Sequence, residues 1–393
     1  MSSKIIATKV YNRHLLIHLE NDVIEHVRVL NNEHTYSIGT IALGRVVKML
    51  PATGACFVDI GDKENYYVKI PHSLNDVIFS DGAKHKTIHC EDQILIQIST
   101  EAIKTKAPSA TTQFSLSGRY IVIEKGKGIS ISKKITEGDR KSLVLPDCIN
   151  DISKLYHVIV RTEALSASNP DIIGEEIIEL KNQADSILRK VATAKDRSIL
   201  YEGDVPIISI VNSWMRYNPD EVVTDISDDY AILCNKVPID IRLYSDELLP
   251  LVKLYKLESL IDNTLSKRVY LKSGAFLVVE QGETLTSIDV NSAHVISGDK
   301  QDIAFKVNCE AAIEIGHILR SRNISGMILI DFINLKDSKS ENKLINLIKE
   351  VIKDDPIRTS YIDMTGLGLI ELTRQKTYKS FIEQWKKDTN IQE

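Results

Sequence analysis

The sequence predicts an α+β protein built from several domains, and three observations support this. Its 393 residues are too many for one ordinary core, since a domain holds roughly 150 residues. Up to about residue 113, apolar and polar residues alternate in short runs, a pattern typical of β-strands. Over roughly the last half of the chain, helix-length periodic stretches alternate with strand-length apolar runs, which is typical of helices packed on a sheet.

Composition narrows the class of protein. With 43% hydrophobic and 26% charged residues, the chain is neither collagen-like nor largely disordered. No apolar run approaches the roughly 20 residues that cross a bilayer, and the first residues lack the pattern of a signal peptide. The five cysteines are scattered and form neither a disulfide framework nor a CxxC metal motif. We therefore expect a cytoplasmic protein with no membrane partner.

The charge pattern leaves nucleic-acid binding open. A net charge of −5 lacks the basic domain or stripe that usually marks such proteins. Between Arg119 and Lys141, however, seven basic residues stand against three acidic ones. A solvated loop and a phosphate-facing patch explain this segment about equally well.

The β-rich part predicts two structures in succession. Three alternating runs at 4–10, 14–18 and 23–29 predict a three-stranded meander. Further strands at 44–50, 54–61, 65–70 and 93–99 are short and closely spaced, which favours a small closed barrel over a layered α/β unit.

From about residue 118, two further strands are predicted over 120–123 and 157–160, and helices alternate with strands after them. Asn169 is suited to cap a helix, Pro170 to its first turn, and apolar residues then recur every three or four positions up to Val191. Further helices are predicted over 204–215, 245–255, 257–269, 304–322 and 340–353. The intervening strands are predicted over 276–280, 285–290, 327–333 and 358–362.

Two of these strands have the same ending, an apolar run followed by an aspartate. Asp289 is followed by Asn291, and Asp331 is followed by Asn334. If the strands are neighbours, the two carboxylates repel each other unless a cation lies between them. Oxygen ligands suit Mg²⁺ or Mn²⁺ rather than zinc, and such a metal could bind a phosphate and activate water. The alternative is that each aspartate only caps a turn or a helix, and the pattern leaves both interpretations open.

Two weaker patterns are suited to unpaired bases and to a phosphate. Phe57 and Tyr67 fall on adjacent predicted barrel strands, where aromatic rings can stack on unpaired bases. Lys106 follows the last predicted barrel strand, 93–99. Arg161 and Thr162 end a strand and together suit a phosphate. Core or surface filling is the better explanation of the aromatic residues taken alone, and Arg–Thr pairs are common on surfaces.

Taken in order, these segments resemble the catalytic half of the ribonuclease E/G family from about Lys4 to Lys376. The most specific strings are SIDVNS (287–292), NCEAAIEI (308–315), GMILIDFINL (326–335) and LGLIELTRQK (367–376). FVDIG (57–61), ATTQFSLSGRY (110–120) and IVRT (159–162) precede them in the expected order. Each string alone is weak evidence, but seven collinear strings are strong evidence.

The resemblance implies an RNase H-like domain that is split around an OB-type RNA-binding barrel and a 5′-sensor region, followed by a DNase I-like α/β catalytic domain. The RNase H-like parts would be residues 1–36 and 203–266. The barrel would be 37–117, the 5′-sensor region 118–202 and the catalytic domain 267–393.

The resemblance also implies roles for individual residues. Asp289 and Asp331 would hold the catalytic Mg²⁺, with Mn²⁺ as a substitute, and Asn291 would orient one of them or the phosphate. Single-stranded RNA would be guided by Phe57, Tyr67 and Lys106. A 5′-monophosphate would be sensed by Arg161, Thr162 and Val122. The reaction would be hydrolysis within A/U-rich single-stranded RNA to 5′-phosphate and 3′-hydroxyl ends, in RNA decay or ribosomal RNA processing.

Some positions depart from the family pattern. No cysteine follows Cys309, so we expect no zinc, and a monomer or homodimer formed without a zinc link. Asn334 stands where the family often has a second aspartate. A non-catalytic RNA-binding relative that kept the barrel is therefore the alternative to an enzyme. A nuclease acting on DNA is disfavoured by the barrel, although such barrels bind both polymers.

Overall fold

The computed structural model describes residues 2–30, 36–100, 107–133, 135–167, 169–234, 236–292, 300–353 and 355–387. The strands in chain order are β1 (Ser3–Val10), β2 (Arg13–Glu20), β3 (Val23–Val29), β4 (Ile41–Leu50), β5 (Ala55–Asp59), β6 (Tyr66–Lys69), β7 (Gln93–Thr100), β8 (Ser109–Thr111), β9 (Ser115–Ser117), β10 (Ile121–Lys125), β11 (Gly128–Ile131), β12 (Tyr156–Val160), β13 (Ser198–Tyr201), β14 (Glu221–Thr224), β15 (Ile241–Leu243), β16 (Arg268–Tyr270), β17 (Phe276–Gln281), β18 (Leu285–Asn291), β19 (Gly326–Asp331), β20 (Thr359–Met364) and β21 (Ile370–Arg374). The helices are α1 (Glu137–Ser142), α2 (Cys148–Ile152), α3 (Pro170–Val191), α4 (Pro206–Trp214), α5 (Ser227–Cys234), α6 (Leu251–Leu254), α7 (Leu257–Leu265), α8 (Lys300–Ser321), α9 (Ser338–Lys353) and α10 (Phe381–Lys387). The predicted α+β class is confirmed, and within these ranges no helix is long and apolar enough to cross a bilayer.

The chain divides into two compact units. One is discontinuous and comprises Met1–Asn31 and Ile207–Glu393, and the other, the inserted unit, comprises Asn32–Pro206. This division is coarser than the five segments that the resemblance implies, and their boundaries stay a prediction.

The inserted unit contains the predicted barrel. Strands β4, β5, β6, β8 and β7 are hydrogen-bonded in that order, and β7 pairs again with β4, so that five strands close on themselves. Closure pairs the strand edges that an open sheet would expose. Gly44 permits a close approach of two strands, because a Cβ there would lie 2.4 Å from Cγ1 of Val58.

A second sheet of the inserted unit, of order β11-β12-β10-β9, packs against α3. The predicted helix start is confirmed: Asn169 caps α3 by accepting the backbone N–H of Asp171, and Pro170 is its first residue. Residues of α3 at three- and four-residue spacing are buried in this core, namely Ile173, Ile177, Leu180, Ala184, Ile187 and Val191.

The first sheet of the discontinuous unit has the order β15-β14-β1-β2-β3. The predicted meander β1–β3 is confirmed, but β14 and β15 were not predicted, and they extend the sheet parallel to β1. Both faces are covered. Ile5 and Leu16 pack with residues of α4, while Ile6 and Leu15 pack with residues of α6 and α7.

Two buried histidines face each other in this sheet, His18 on β2 and His26 on β3, with exposed fractions of 1% and 6%. Their rings lie 5.8 Å apart against Trp214 and Tyr217. Burial lowers the pKa of His18 to about 4 and the pKa of His26 well below its usual value. Both histidines are therefore neutral in the folded protein at pH values where the unfolded chain binds protons.

We expect the free energy of unfolding to fall as the pH drops from 6.5, the pKa of histidine in the unfolded chain, towards about 4, the pKa of His18 in the folded protein. The loss for His18 alone is on the order of 3 kcal/mol. Denaturant unfolding at about pH 7 and about pH 4.5 measures it, and His18→Gln should reduce the difference between the two pH values. An equal difference in the variant and in the unaltered protein would contradict this explanation.

The second sheet of the discontinuous unit has the order β16-β17-β18-β19-β21-β20. Helices α8 and α9 cover one face, where Leu277, Ile288, Ile328 and Leu344 belong to one core. Along β18, Ile288 and Val290 are buried on this side, whereas Ser287 and Asp289 are exposed. We call the side that carries these exposed residues the open face.

Two predicted helices were wrong in extent. The helix predicted over 245–255 is only Leu251–Leu254, because the side chain of Asp246 accepts the N–H groups of Leu248 and Leu249 in a turn. The helix predicted over 257–269 ends at Leu265, and Arg268–Tyr270 instead forms β16, which pairs with β17.

Candidate active site

Asp289 and Asp331 are brought together on the open face. Strands β18 and β19 are parallel neighbours, and Asp289 stands in register with Asp331. Neighbouring strands lie about 4.8 Å apart, and residues in register point to the same face of a sheet. Both side chains are exposed at the C-terminal ends of their strands, where α/β sheets bind ligands.

Asn291 orients one member of this carboxylate pair. It lies two residues beyond Asp289 on the same face of β18, and its Nδ2 donates a hydrogen bond to Oδ2 of Asp289 at 2.5 Å. The amide therefore holds that carboxylate in one orientation.

The pair fits a small divalent cation. Two carboxylates in register on neighbouring strands concentrate negative charge, and a cation between them would offset their repulsion. Among the described residues, no group of three or more histidine, cysteine, aspartate or glutamate side chains forms a metal cluster. Mg²⁺ suits such a site, because it is usually bound by one or two carboxylates together with water and substrate phosphates.

Asn308 is a residue of this site that the sequence reasoning missed. It is fully buried on α8, its Nδ2 donates to the carbonyl of Ile333 at 2.7 Å, and its Oδ1 accepts the N–H of Ile333 at 3.0 Å. Since Ile333 lies two residues after Asp331, this amide anchors the segment that leaves β19. A polar residue among the buried positions of an amphipathic helix was the available signal. Asn334, the next residue, is exposed.

The barrel presents the predicted aromatic pair. Phe57 on β5 stands opposite Tyr67 on β6, their ring centroids are 6.0 Å apart, and both side chains are half-buried. Exposed Lys48 on β4 stands opposite Phe57. Tyr66 instead points into the barrel core, where burial raises the pKa of its hydroxyl. The predicted RNA contact Lys106 lies outside the described residues.

The predicted 5′-phosphate residues also lie near one another. Arg161 donates to the carbonyl of Gly118 at 2.6 Å, and Thr162 donates to Glu163, which also lies 3.6 Å from Arg161. Val122 is half-buried on the neighbouring strand β10. The carboxylate of Glu163 therefore contacts both the guanidinium of Arg161 and the hydroxyl of Thr162.

A glutamate from α3 fixes the turn on which Arg161 relies. The carboxylate of Glu176 accepts the N–H groups of Arg119, Tyr120 and Ile121 at 2.8, 2.8 and 2.9 Å. Gly118 leaves room for it, since a Cβ there would lie 2.3 Å from Oε1 of Glu176.

We expect Glu176→Ala to lower the free energy of unfolding by about 1–3 kcal/mol, because backbone N–H groups lose their acceptor. Chemical denaturation measures this change. Glu175→Ala, which removes an exposed neighbour on the same helix, is the matched control. If the two variants were equally stable, the carboxylate would have no structural role in this turn.

Comparison with known proteins identifies the family. Residues 115–377 match the model of the Ribonuclease E/G family. This matched region is well over half of the chain. The chain belongs to the ribonuclease E/G family. The matched region contains Arg161, Thr162, Asp289 and Asp331, and the resemblance described above is confirmed.

Named relatives of this family member cover nearly all of its length. It is 28% identical to a ribonuclease E of Nostoc sp. over 92% of this chain and 54% of the relative. It is 26% identical to a ribonuclease G of Haemophilus influenzae, over 92% of this chain and 77% of the relative. A ribonuclease E of Escherichia coli is 26% identical over 89% of this chain and 34% of the relative. The chain thus spans about half, or less, of the ribonucleases E in this group.

Proposed function

We propose that this family member is an endoribonuclease that hydrolyses single-stranded, A/U-rich RNA with Mg²⁺ or Mn²⁺ at Asp289 and Asp331. The observation that carries the proposal is the in-register pair of exposed carboxylates on neighbouring parallel strands. The products would be 5′-phosphate and 3′-hydroxyl ends, and the process RNA decay or ribosomal RNA maturation in the cytoplasm. The names of the relatives support this activity.

Each residue of the site has a distinct task in this proposal. Asp289 and Asp331 would hold the cation, which when bound supplies charge neutralisation at a phosphate and a lowered pKa for water. Asn291 keeps Asp289 oriented through its 2.5 Å hydrogen bond. Asn308 positions the segment after Asp331.

RNA would be recognised through the inserted unit. Phe57 and Tyr67 provide adjacent rings on which unpaired bases can stack, and a closed five-stranded barrel is a common scaffold for this contact. Lys106 would add a phosphate contact. Val122, Arg161 and Thr162 would sense a 5′-monophosphate that displaces Glu163 from the guanidinium and the hydroxyl.

The finer fold assignment belongs to the same proposal. We assign the sheet β15-β14-β1-β2-β3 to a split RNase H-like domain and the sheet around Asp289 to a DNase I-like catalytic domain. Support comes from the chain path, since β14 and β15 rejoin the meander β1–β3 only after the inserted unit.

The activity is tested with a short A/U-rich RNA that carries a 5′-monophosphate and a 3′ label. We expect internal cleavage in Mg²⁺, none in EDTA, and none of the DNA of the same sequence. Tight RNA binding without cleavage in Mg²⁺ or Mn²⁺ would instead support the non-catalytic RNA-binding relative.

The 5′-phosphate assignment makes a separate prediction. Arg161→Ala should reduce the preference for 5′-monophosphate over 5′-hydroxyl RNA by roughly 10- to 100-fold, since hydrogen bonds to charged groups contribute about 1.5–3 kcal/mol. Competition cleavage of the two substrates measures the ratio. Arg189→Ala, an exposed arginine on α3, is the control. An unchanged ratio in Arg161→Ala would locate the sensor elsewhere.

A further inference from the structure

Beside the carboxylate pair, the open face carries two aromatic rings that the roles assigned above do not use. On the edge hairpin β16–β17, Tyr270 pairs with Phe276, and Phe276 pairs on its other side with Asn291. Asn291 is hydrogen-bonded to Asp289. A continuous row across three strands therefore leads from the candidate metal site to Tyr270.

A guanidinium completes this group. Arg268 lies 4.6 Å from the ring centroid of Phe276, and the ring of Tyr270 lies 6.0 Å from that of Phe276 at 55°. Arg268 itself belongs to the row of Val278 and Asp289, so two strand spacings of about 4.8 Å separate it from Asp289. We call Arg268, Tyr270 and Phe276 the aromatic platform.

Packing does not explain the platform. The apolar core of this sheet lies under α8 and α9, on the opposite face. Phe276 is half-buried, Arg268 is exposed, and Tyr270 is 69% exposed although it stands on an edge strand. Edge strands are usually protected by charged side chains or proline rather than by exposed rings. Among the described residues, no carboxylate forms an ion pair with Arg268, which leaves its charge for an anion.

We infer that the aromatic platform stacks an unpaired base of the nucleotide next to the scissile phosphate. The inference rests on the proposed function, because it takes the phosphate to lie at Asp289 and Asp331. An aromatic ring beside an arginine suits a nucleotide, since the ring stacks on the base and the guanidinium attracts a phosphate.

The platform adds a requirement for an unpaired base at the cleavage site. A base that stacks on Tyr270 or Phe276 must first leave the RNA double helix. A nucleotide paired within a duplex is therefore excluded from this position. Stacking tolerates any base, because every base has a π-face. The platform therefore selects for unpaired RNA at the cut rather than for a particular sequence.

The test uses RNAs with one cleavage position in which each flanking nucleotide is replaced in turn by an abasic one. Wild-type protein should lose roughly 5- to 100-fold in kcat/KM at one flanking position. Tyr270→Leu and Phe276→Leu should lose this penalty, and Tyr270→Phe, which keeps a ring, should retain it. Arg268→Ala should weaken RNA binding more than Lys353→Ala, which removes an exposed charge from α9 on the opposite side of the sheet.

Binding of the same abasic RNAs in EDTA measures the contribution of the platform to RNA affinity independently of cleavage. The platform is refuted if the leucine variants, with unchanged melting temperatures, show the wild-type abasic profile in both assays. An absence of cleavage in wild-type protein refutes the nuclease proposal instead. In that case, an abasic binding penalty that vanishes in the leucine variants still supports the platform.

Discussion

Asp289→Asn and Asp331→Asn should each reduce RNA cleavage by at least about 100-fold, since even loss of a group that only supports a metal ligand costs 10–100-fold. The amide keeps the shape of the side chain and removes the negative charge that a cation requires. Single-turnover cleavage of the labelled RNA measures the loss. Binding of RNA in EDTA should change little, because Phe57 and Tyr67 belong to the inserted unit.

The matched control is Glu350→Gln, which also converts a carboxylate to an amide but lies on α9, on the covered side of the sheet. It should cleave at the wild-type rate. Full activity of either aspartate variant would remove the carboxylate pair from the mechanism. Loss of both binding and cleavage would point to misfolding, which a melting curve would reveal.

Asp355→Ala should lower the free energy of unfolding by about 3–5 kcal/mol, the usual cost of leaving one member of a buried ion pair alone. Arg374 and Asp355 are 1% and 4% exposed and are joined by hydrogen bonds of 2.7 and 3.1 Å. Arg374 also donates to Asn323 and to the carbonyl of Ile324, just before β19 begins. The pair therefore ties β21 and the residues after α9 to the start of the strand that carries Asp331.

Denaturant unfolding measures this loss, with Glu350→Ala as the control for an exposed ion pair. The double change Asp355→Leu with Arg374→Met should be more stable than Asp355→Ala, because it leaves no buried charge without a partner. An Asp355→Ala protein as stable as the control would mean that solvent reaches Arg374.

Local patterns were predicted well. The start of α3 at Pro170, the meander β1–β3 and the barrel strands depend on caps, alternation and turns within a few residues. The failures also have local causes. The turn at Asp246 replaced most of one predicted helix, and the pairing of Arg268–Tyr270 with β17 converted the end of another into a strand.

The candidate site was predicted in part. Asp289, Asp331 and Asn291 stood out because each follows an apolar strand, and the structure places them together, although their catalytic role stays a prediction. Asn308 did not stand out, since its contact with Ile333 joins residues 25 positions apart. Tyr66 and Tyr67 were neighbours in sequence, and only the barrel decided which one is buried.

The sequence by itself determined the class of the protein, its family and the two aspartates at strand ends, because these depend on residue type and local order. Only the tertiary structure decided the partners of each strand and their register. β14 joins β1 from more than 200 residues away, and β16 brings Tyr270 into the row of Asn291. Register matters because side chains alternate between the two faces of a sheet. A slip of one residue in β18 would turn Asp289 towards the helices and separate it from Asp331.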